Sequence, residues 1–343
     1  MMKLKYLLDN RQLAIELLEN WDYDAERLDI LDQYRISSNA IYPFYQFNKV
    51  CFLRFSPLEE KSVLSVKGEL DFMAYLRSNG LSTPEPLLSK DGRELLECHT
   101  KWGDYIAVAF ACAQGKRLDR INYDATLFQK YGQTLGLLHR LSSTYHPTVQ
   151  NRVVYDQQLT WVERCLTDYK APSIAFQELS MVRTSLAYLP VTQDSFGLIH
   201  YDFELDNVFY DNTTDNFTVI DFDDAMYHWY AMDVERTLHN LKEELDGEVV
   251  EVAQSAFLQG YQSHMKLDMD LLEQFHLFSR YAGLYQYARC LRATYDHLDC
   301  EPDWMKGLRE HLAKLMHSHE SAFGTTIESN MNSTVLASLH KRA

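Results

Sequence analysis

The sequence predicts an α+β protein of two lobes, a small β-rich N-lobe over residues 1–112 and a larger, mainly helical C-lobe over residues 113–343. Two observations predict this organisation. The chain has 343 residues, more than one hydrophobic core usually supports, and 46% of them are hydrophobic. Its pattern also changes near residues 110–116, from short runs rich in Tyr, Phe, Val and Ile to longer runs with apolar residues at helical spacing.

The N-lobe is expected to begin with a helix over residues 3–20, where Leu and Ile recur at roughly helical spacing. The segment YRISSNAIYPFYQFNKVCFLRFS then predicts two strands joined by a turn near residues 46–48. The segment VLSVKGELDFMAYLRSNG predicts a second helix, and Gly80 suits the left-handed position just after it. Further strands are expected after this helix, joined by turns at residues 90–92 and 102–104.

The C-lobe is expected to consist of helices that flank one short, strand-rich segment. A long amphipathic helix, ATLFQKYGQTLGLLHRLSSTY, opens this lobe, and the pattern is mostly helical at 157–188 and again from residue 233 onward. Between these helices lies LIHYDFELDNVFYDNTTDNFTVIDFDD, residues 198–224, in which turn-forming residues separate two apolar runs. These two runs predict a β-hairpin.

The same segment contains a group of polar residues at a characteristic spacing. His200, Asp202 and Asn207 form H-x-D-x-x-x-x-N, and Asp221 follows the second apolar run. A hairpin would place Asn207 and Asp221 side by side, where their hard oxygen atoms suit Mg²⁺ that carries substrate phosphates. Asp202 could accept a proton from an attacking hydroxyl group or hold that hydroxyl group in line. Asp223 is a further candidate metal ligand, and a helix-start position is the alternative role for it.

This set of spacings is close to that of protein kinases, H-R-D-x-x-x-x-N followed by D-F-G. The sequence resembles the aminoglycoside phosphotransferase and choline kinase family, whose members carry H-x-D-x-x-x-x-N and an ID[FW]xDA segment in place of D-F-G. Residues 220–225 read IDFDDA, and residues 135–142 read LGLLHRLS, which is similar to that family's helix before an insert. The resemblance covers roughly residues 35–295 and implies a protein-kinase-like fold.

The resemblance also implies an enzyme that transfers the γ-phosphate of ATP or GTP to a hydroxyl group of a small molecule, with Mg²⁺. Asp202 would be its catalytic residue, and His200 would be either a catalytic acid or base or a scaffold residue that is hydrogen-bonded to the catalytic loop. Three alternatives stay open. They are a metabolite kinase for homoserine, choline, a ketosamine or a methylthio-sugar, a bacterial protein Ser/Thr kinase, and an inactive kinase-like binding protein.

A kinase places a cation on the α- and β-phosphates and orients it with a carboxylate from a helix. The resemblance puts Arg54, in KVCFLRFS, at the position of that cation and Glu69 at the position of that carboxylate. Lys49 is the alternative to Arg54, and a solvated helix face is the alternative explanation of Glu69. We therefore expect an Arg–Glu pair beside the nucleotide.

No glycine-rich loop precedes the first strands, since the first glycine of the chain is Gly68. The cover over the phosphates is therefore expected from a loop with hydroxyl and backbone N–H groups. The adenine is expected at the joint between the lobes, in AVAFACAQG. The expected nucleotide-binding residues are Ser37, Ser38 and Asn39 over the phosphates, Phe110, Ala111 and Ala113 at the adenine edge, and Phe209 and Ile220 as an apolar floor.

The acceptor pocket is expected from residues 150–190 and the helices after 233, but the motifs do not name the alcohol. Aromatic and carboxylate side chains there would suit a cationic acceptor, although Tyr and Trp at helical spacing are more often core residues. Arg280, Arg289 and Arg292, on one predicted helix, would instead suit an acid such as a carboxylated alcohol, or would only form salt bridges with the acidic surface. Glu204 is also explained as a solvated loop charge, as is Asp206. The candidate wall residues are Tyr201, Glu204, Asp224, Tyr227, Trp229, Tyr230, Glu235 and Tyr285.

Composition limits the partners. The net charge of −16 argues against nucleic acid, which is bound through Lys and Arg on phosphates. The sequence contains no run of 18 apolar residues, so no membrane span is predicted. Six cysteines without a C-x-x-C pair predict reduced thiols in the cytoplasm, and we expect a monomer or a homodimer.

Overall fold

An antiparallel sheet dominates the N-terminal part of the computed structural model, which describes residues 1–8, 10–121, 124–149, 152–267 and 269–325. Its strands are β1 (Arg35–Ile36), β2 (Ala40–Gln46), β3 (Lys49–Pro57), β4 (Pro86–Leu87), β5 (Leu96–Thr100) and β6 (Gly103–Ala111). They lie in the order β1-β2-β3-β6-β4, and β5 also pairs with β6. Phe47 and Asn48 have φ angles of 51° and 62° between β2 and β3, which a two-residue hairpin turn of this kind requires. The turn predicted at residues 46–48 is confirmed.

The helix predicted over residues 3–20 is wrong in its extent. The structure has a 3₁₀ turn at Leu4–Tyr6 and helix α1 only at Arg11–Leu18. Asn10 separates the two, because its side-chain amide donates to the Tyr6 carbonyl and its backbone N–H donates to the Tyr42 hydroxyl. These contacts compete with a continuous helix, as Asn side chains commonly do.

Helix α2 (Val63–Ser78) lies where the second helix was predicted. The Ser62 hydroxyl caps its start by accepting the Ser65 N–H at 3.1 Å. Gly80 follows its end with φ of 91°, and the Leu81 N–H donates to the Leu76 carbonyl at 3.0 Å. Both ends are therefore fixed by local hydrogen bonds.

The rest of the chain is mainly helical, with short hairpins near its middle. The helices are α3 (Ala125–Ser142), α4 (Tyr155–Asp168), α5 (Ser173–Ala187), α6 (Tyr230–Glu244), α7 (Glu248–Gln262), α8 (Met269–Leu272), α9 (Phe275–Thr294) and α10 (Asp303–Ala322). The strands are β7 (Lys116–Arg117), β8 (Phe196–Ile199), β9 (Val208–Asp211), β10 (Asn216–Val219) and β11 (Met226–Trp229). β9 lies between β10 and β7, and β8 pairs with β11. The division of the chain at residues 112 and 113 stays a prediction.

Helices α3 and α7 cross at very close range through two glycines. A Cβ atom on Gly132 would lie 1.9 Å from the Phe257 carbonyl oxygen, and one on Gly260 would lie 1.8 Å from the Gln129 carbonyl oxygen. This approach holds α3 in the core, from which the Tyr131 hydroxyl donates to the Phe203 carbonyl at 2.8 Å. The C-lobe core thus supports the loop that follows β8.

Apolar residues from both parts of the chain form one continuous core, which joins the inner side of the N-lobe to the C-lobe helices. Phe72 of α2 packs against Phe222 at 5.8 Å between ring centroids. A smaller core covers the other face of the sheet and includes Trp21, Tyr42 and Phe55. Among the described residues, no helix has the length and apolar character that a membrane span needs.

Candidate active site

Strands β9 and β10 form the predicted hairpin, with Val208 opposite Val219. The Ile220 N–H donates to the Asn207 carbonyl at 2.9 Å and closes the open end of the hairpin. Asn207 accepts this bond and Asp221 directly follows its donor, so the structure brings the two residues together as the spacing predicted. Asp221 has φ of 61°, a left-handed conformation that is uncommon outside glycine and occurs at strained functional sites.

Asp202 lies on the loop before Asn207, within hydrogen-bond distance of it. The Asn207 side-chain amide donates to the Asp202 carbonyl oxygen at 2.9 Å and to Asp202 Oδ2 at 3.0 Å. The amide is thereby oriented, and Asn207 Oδ1 is left to face a cation. Asp202, Asn207 and Asp221 therefore form one connected group of oxygen atoms.

His200 lies beneath this loop and is fully buried. Its Nε2 lies 2.9 Å from the Ile220 carbonyl oxygen, and its Nδ1 accepts the Asp202 N–H at 3.2 Å. Burial lowers the pKa of His200, so the ring is neutral and donates from Nε2. The role of His200 as a catalytic acid or base is wrong, because the ring has no surface through which to reach a substrate. Its contacts make it the scaffold residue that ties the Asp202 loop to Ile220.

Asp233, at the start of α6, fixes the same loop from the core. Its Oδ2 accepts the His200 N–H at 2.8 Å and its Oδ1 accepts the Tyr201 N–H at 2.7 Å. His139 Nε2 lies 3.0 Å from the same carboxylate. Tyr201 has φ of 72°, so the loop is held in a conformation that a free chain rarely adopts. Sequence reasoning missed Asp233, which has no motif to distinguish it from an ordinary first-turn carboxylate.

Arg54 and Glu69 form the predicted pair. Arg54 reaches from β3 and donates both terminal nitrogens to the Glu69 carboxylate on α2, at 2.6 and 2.8 Å. Both residues are buried, and this two-bond geometry suits the planar guanidinium group. Lys49 is exposed at the start of β3, so Arg54 and not Lys49 forms the ion pair with Glu69.

We expect Glu69→Gln to lower the free energy of unfolding by about 3–5 kcal/mol, because it leaves the buried Arg54 charge without its anion. Denaturant unfolding followed by circular dichroism would measure the change. Glu163→Gln is the matched control, since Glu163 pairs with Arg183 on the surface. A surface pair contributes up to about 1 kcal/mol, so equal losses in the two variants would contradict the assigned burial of the Arg54 pair.

A cavity of about 320 Å³, which we call the nucleotide cavity, lies between the sheet and the hairpin, beside the Arg54–Glu69 pair. Its polar end contains Asn207 and Asp221. Its volume and apolar lining suit a nucleotide base and ribose. The predicted residues that line it are Ser37, Arg54, Glu69, Phe110, Ala111, Ala113, Phe209 and Ile220.

The loop predicted to cover the phosphates does so only in part. Ser37 and Ser38 both face the site, and the Ser38 hydroxyl accepts a hydrogen bond from Arg289 at 2.8 Å. Asn39 is a correction, because it is buried and its Oδ1 accepts the Ser56 hydroxyl at 2.6 Å. Asn39 therefore supports the loop from inside the N-lobe, and its side chain is not available to a phosphate.

Two further cavities lie on the other side of Asp202 and share Asp223, Asp224 and Tyr285. We call them the inner cavity, about 340 Å³, which contains Asp202, and the outer cavity, about 950 Å³, which extends to α4. The inner cavity also shares Asn207 and Asp221 with the nucleotide cavity. The candidate metal ligands therefore stand where the nucleotide and acceptor spaces meet.

The acceptor wall was predicted correctly only in part. Tyr201, Glu204, Asp224 and Tyr285 line the inner cavity. The other candidates do not line either acceptor cavity, because packing against α3, α4 and α9 places them in the core or at its edge. These are Tyr227, Trp229, Tyr230 and Glu235.

The arginines of α9 also differ in whether they line the acceptor cavities. Arg280 is turned away from both cavities and forms an ion pair with the buried Glu178. Arg289 pairs with Asp224 at 2.7 Å, and Arg292 pairs with Glu60 at 2.7 Å. Only Arg289 and Arg292 of this predicted set therefore lie at the acceptor site.

The carboxylates at the junction fit a divalent cation. Burial and the Asp223 carboxylate raise the pKa of Asp221 to about 7. Burial alone would raise the pKa of Asp223, but Lys61, which contacts it, holds it below its usual range. In the described part of the chain, no three His, Cys, Asp or Glu side chains could enclose a metal by themselves. Asn207 and Asp221 match Mg²⁺, which takes one or two protein oxygens and completes its shell with phosphate and water.

Most of the sequence matches one known enzyme family. The sequence model of the phosphotransferase enzyme family, APH, matches residues 35–267, which is more than half of the chain. The chain belongs to this family. The resemblance inferred from H-x-D-x-x-x-x-N and IDFDDA is confirmed.

Relatives of this phosphotransferase share its fold at low identity. Amicoumacin kinase of Bacillus subtilis (strain 168) is 22% identical over 242 residues, which cover 69% of this chain and 70% of that protein. The structure of amicoumacin kinase hAmiN in complex with AMP-PNP, Ca²⁺ and Ami has a TM-score of 0.73 and 21% identity, and covers 93% of this chain and 95% of that one. A microcompartment-associated aminopropanol kinase has a TM-score of 0.65 and 21% identity, and covers 92% and 99%. These likenesses confirm the predicted α+β, kinase-like fold.

In this phosphotransferase the loop charge Glu204 is not simply solvated. Its carboxylate accepts a hydrogen bond from Arg236 of α6 at 2.7 Å, and the same Arg236 nitrogen lies 3.6 Å from Asp202 Oδ1. The Arg236 guanidinium also lies over the Tyr201 ring, 5.3 Å from its centroid. Burial and the nearby Asp202 raise the pKa of Glu204 to about 7. Sequence reasoning missed Arg236, and Asp206 is likewise half-buried, 3.8 Å from Arg35.

The raised pKa of Glu204 predicts a specific pH dependence of stability. A carboxyl group whose pKa rises on folding favours the folded state at low pH, and this contribution is lost as the pH rises through the folded-state value of about 7. Between pH 5 and 8.5 the unfolding free energy of the wild type should therefore fall by up to about 3 kcal/mol relative to Glu204→Gln. Denaturant unfolding at both values measures this difference. Glu244→Gln, at the exposed end of α6, is the control, and a Glu204→Gln profile parallel to the wild type would contradict the raised pKa.

Proposed function

We propose that this chain is an ATP-dependent kinase that transfers the γ-phosphate to a hydroxyl group of a small molecule, with Asp202 as its base. One observation carries the proposal: Asp202, Asn207 and Asp221 lie together where the nucleotide cavity meets the acceptor cavities. Phosphoryl transfer needs this arrangement, because the attacking oxygen, the phosphorus atom and the leaving oxygen must be nearly in line.

The residues have separate roles in the transfer. Arg54, oriented by Glu69, binds the α- and β-phosphates of the nucleotide in the cavity lined by Phe110 and Ile220. Asp202 accepts the proton of the acceptor hydroxyl group. At the same time the hydroxyl oxygen forms a bond to the γ-phosphorus, and the bond between the γ-phosphorus and the ADP oxygen breaks.

Asn207 and Asp221 would hold Mg²⁺, and Asp223 is a further ligand candidate. Bound Mg²⁺ would neutralise charge on the β- and γ-phosphates. The Ca²⁺ and AMP-PNP named for the hAmiN structure support a divalent metal and an adenine nucleotide here. Lys61 contacts Asp223 from the loop before α2, so it stands near the incoming phosphates.

The two acceptor cavities, of about 340 and 950 Å³, have volumes that suit a small-molecule acceptor. The names of the relatives point to amicoumacin and aminopropanol as acceptors of those proteins, so both compounds are candidates here. We further propose that the protein acts in the cytoplasm as a monomer or a homodimer.

Nucleotide consumption tests the function. The purified protein would be incubated with Mg²⁺ and ATP, or GTP, against amicoumacin, aminopropanol, spectinomycin, choline, homoserine and ketosamines, with ADP or GDP release as the readout. Acceptor-dependent release would support the kinase. Protein that fails to bind either nucleotide with Mg²⁺ in a calorimetric titration would contradict it and favour an inactive kinase-like binding protein.

A further inference from the structure

The outer cavity is the larger of the two acceptor cavities. It is about 950 Å³, enough for a metabolite-sized ligand, and shares Asp223, Asp224 and Tyr285 with the inner cavity, which Asp202 lines. Its lining comes from Met1 and Met2, the loop before α2, α4, the segment with Asp223 and Asp224, and α9. A molecule whose hydroxyl group reaches Asp202 would therefore extend the rest of its structure into the outer cavity.

Each carboxylate on this wall already has a cation. Asp223 contacts Lys61, Asp224 lies 2.7 Å from Arg289, and Glu60 lies 2.7 Å from Arg292. Glu59, the remaining acidic residue of the described lining, is paired with Lys5 at 3.4 Å. An amine that entered the cavity would have to compete with one of these cations for its anion.

Two arginines on the wall form no ion pair with a carboxylate of the described residues. Arg152 donates to backbone carbonyl groups, including those of Ala225 and Asp223, each at 2.8 Å. Arg164, exposed on α4, has no hydrogen bond or ion pair with any residue that the structure describes. These groups leave positive charge at the cavity of a protein whose net charge is −16. Since charges far from the site repel anions weakly at physiological salt, the local arginines decide which ligand charge is favoured.

Arg164 stands where an acceptor would extend. It lies one turn after Trp161 on the same face of α4, and both residues line the outer cavity. The Trp161 ring meets the Tyr285 ring edge-on at 5.7 Å, and Tyr285 also lines the inner cavity. A ligand body lying along these aromatic rings would connect the Asp202 end of the site to the Arg164 end.

We propose that the outer cavity binds a carboxylate of the acceptor through Arg164, so that the substrate is a hydroxyl-bearing carboxylic acid and not a simple amine. The proposal rests on the kinase function and names the class of its acceptor. An Arg–carboxylate contact is planar and can form two hydrogen bonds, which gives both orientation and binding energy. Arg152 adds positive charge beside this contact.

Matched acceptors that differ in one group test the proposal. The sets are 3-hydroxypropanoate, 1,3-propanediol and 3-aminopropanol, and glucuronate, glucose, glucosamine and glucose 6-phosphate, each assayed with Mg–ATP for kcat/KM and with Mg–ADP for a shift in Tm. We expect the carboxylate in at least one set to exceed its amine by about tenfold, which corresponds to roughly 1.4 kcal/mol. Arg164→Glu should lower kcat/KM for the carboxylate by about tenfold or more and leave the neutral acceptor nearly unchanged.

Arg140→Glu is the control variant, because Arg140 is exposed on α3 and lies outside the lining of either acceptor cavity. Preference for the amines, or equal rates regardless of charge, would overturn the proposal while leaving the kinase intact. A preference for glucose 6-phosphate alone would also overturn it, since it would assign the cavity to a phosphate. If Mg–ATP binds but no carboxylate is phosphorylated or raises Tm, the carboxylate site is wrong. Absence of nucleotide binding would instead contradict the kinase function itself.

Discussion

Replacing Asp202 with alanine is expected to lower kcat by about 10²–10⁴-fold, the usual contribution of a positioned general base. Mg–ATP affinity should stay close to that of the wild type. Asp202 faces the inner cavity, on the acceptor side of the metal ligands, so its loss affects the hydroxyl group and not the nucleotide. Asn207 keeps a partner in the variant, because its amide also donates to the Asp202 backbone carbonyl at 2.9 Å.

Steady-state turnover with any accepted alcohol and calorimetric titration of Mg–ATP would separate the two effects. Asp215→Ala is a matched control, since Asp215 lies at the tip of the same hairpin and pairs with Lys130 on the surface. An equal loss of turnover and of nucleotide affinity in Asp202→Ala would show that Asp202 acts on the nucleotide. That result would contradict its assignment as the base.

Replacing Asp221 with alanine is expected to remove the effect of Mg²⁺ on ATP binding. In the wild type, ATP should bind more tightly with Mg²⁺ than without it, because Asp221 and Asn207 supply the oxygen atoms that hold the ion against the phosphates. The variant should lose this difference and with it nearly all turnover. The Arg54–Glu69 pair should still bind the phosphates, so some metal-independent affinity is expected to remain.

Titrations of ATP at pH 8 with Mg²⁺ and with a chelator measure the difference. The pH matters, since burial and Asp223 raise the pKa of Asp221 to about 7, and the carboxylate is largely ionised only above that value. Asp211→Ala, at the far end of β9, serves as the control. A ratio of the two affinities in Asp221→Ala that matches the wild type would exclude Asp221 as a metal ligand.

Local patterns predicted much of this site. The spacing of Asn207 and Asp221 was sufficient because a short hairpin has few geometries, and the structure has the expected one. Arg54 and Glu69 were predicted through family resemblance, and their side chains join β3 to α2. In each case the information lies within a short stretch or in a known motif.

Residues that depend on distant packing were missed or misplaced. Lys61 and Arg236 reach the site from other elements and belong to no recurring pattern, so only the fold brings them to Asp223 and Glu204. Trp229 was placed on the acceptor wall, but Tyr155 and Phe196 pack against it in the core. Sequence spacing gives the face of an element, and tertiary packing decides what that face meets.

The contacts of Asp233 bear on how the loop responds to ligands. One buried carboxylate binds the N–H groups of His200 and Tyr201 and contacts His139, so the Asp202 loop takes its shape when the core folds. Its conformational entropy is lost at that stage and not when a substrate arrives. Binding should consequently begin from a rigid catalytic loop, and any closing movement on the reaction path should come from the N-lobe strands above it.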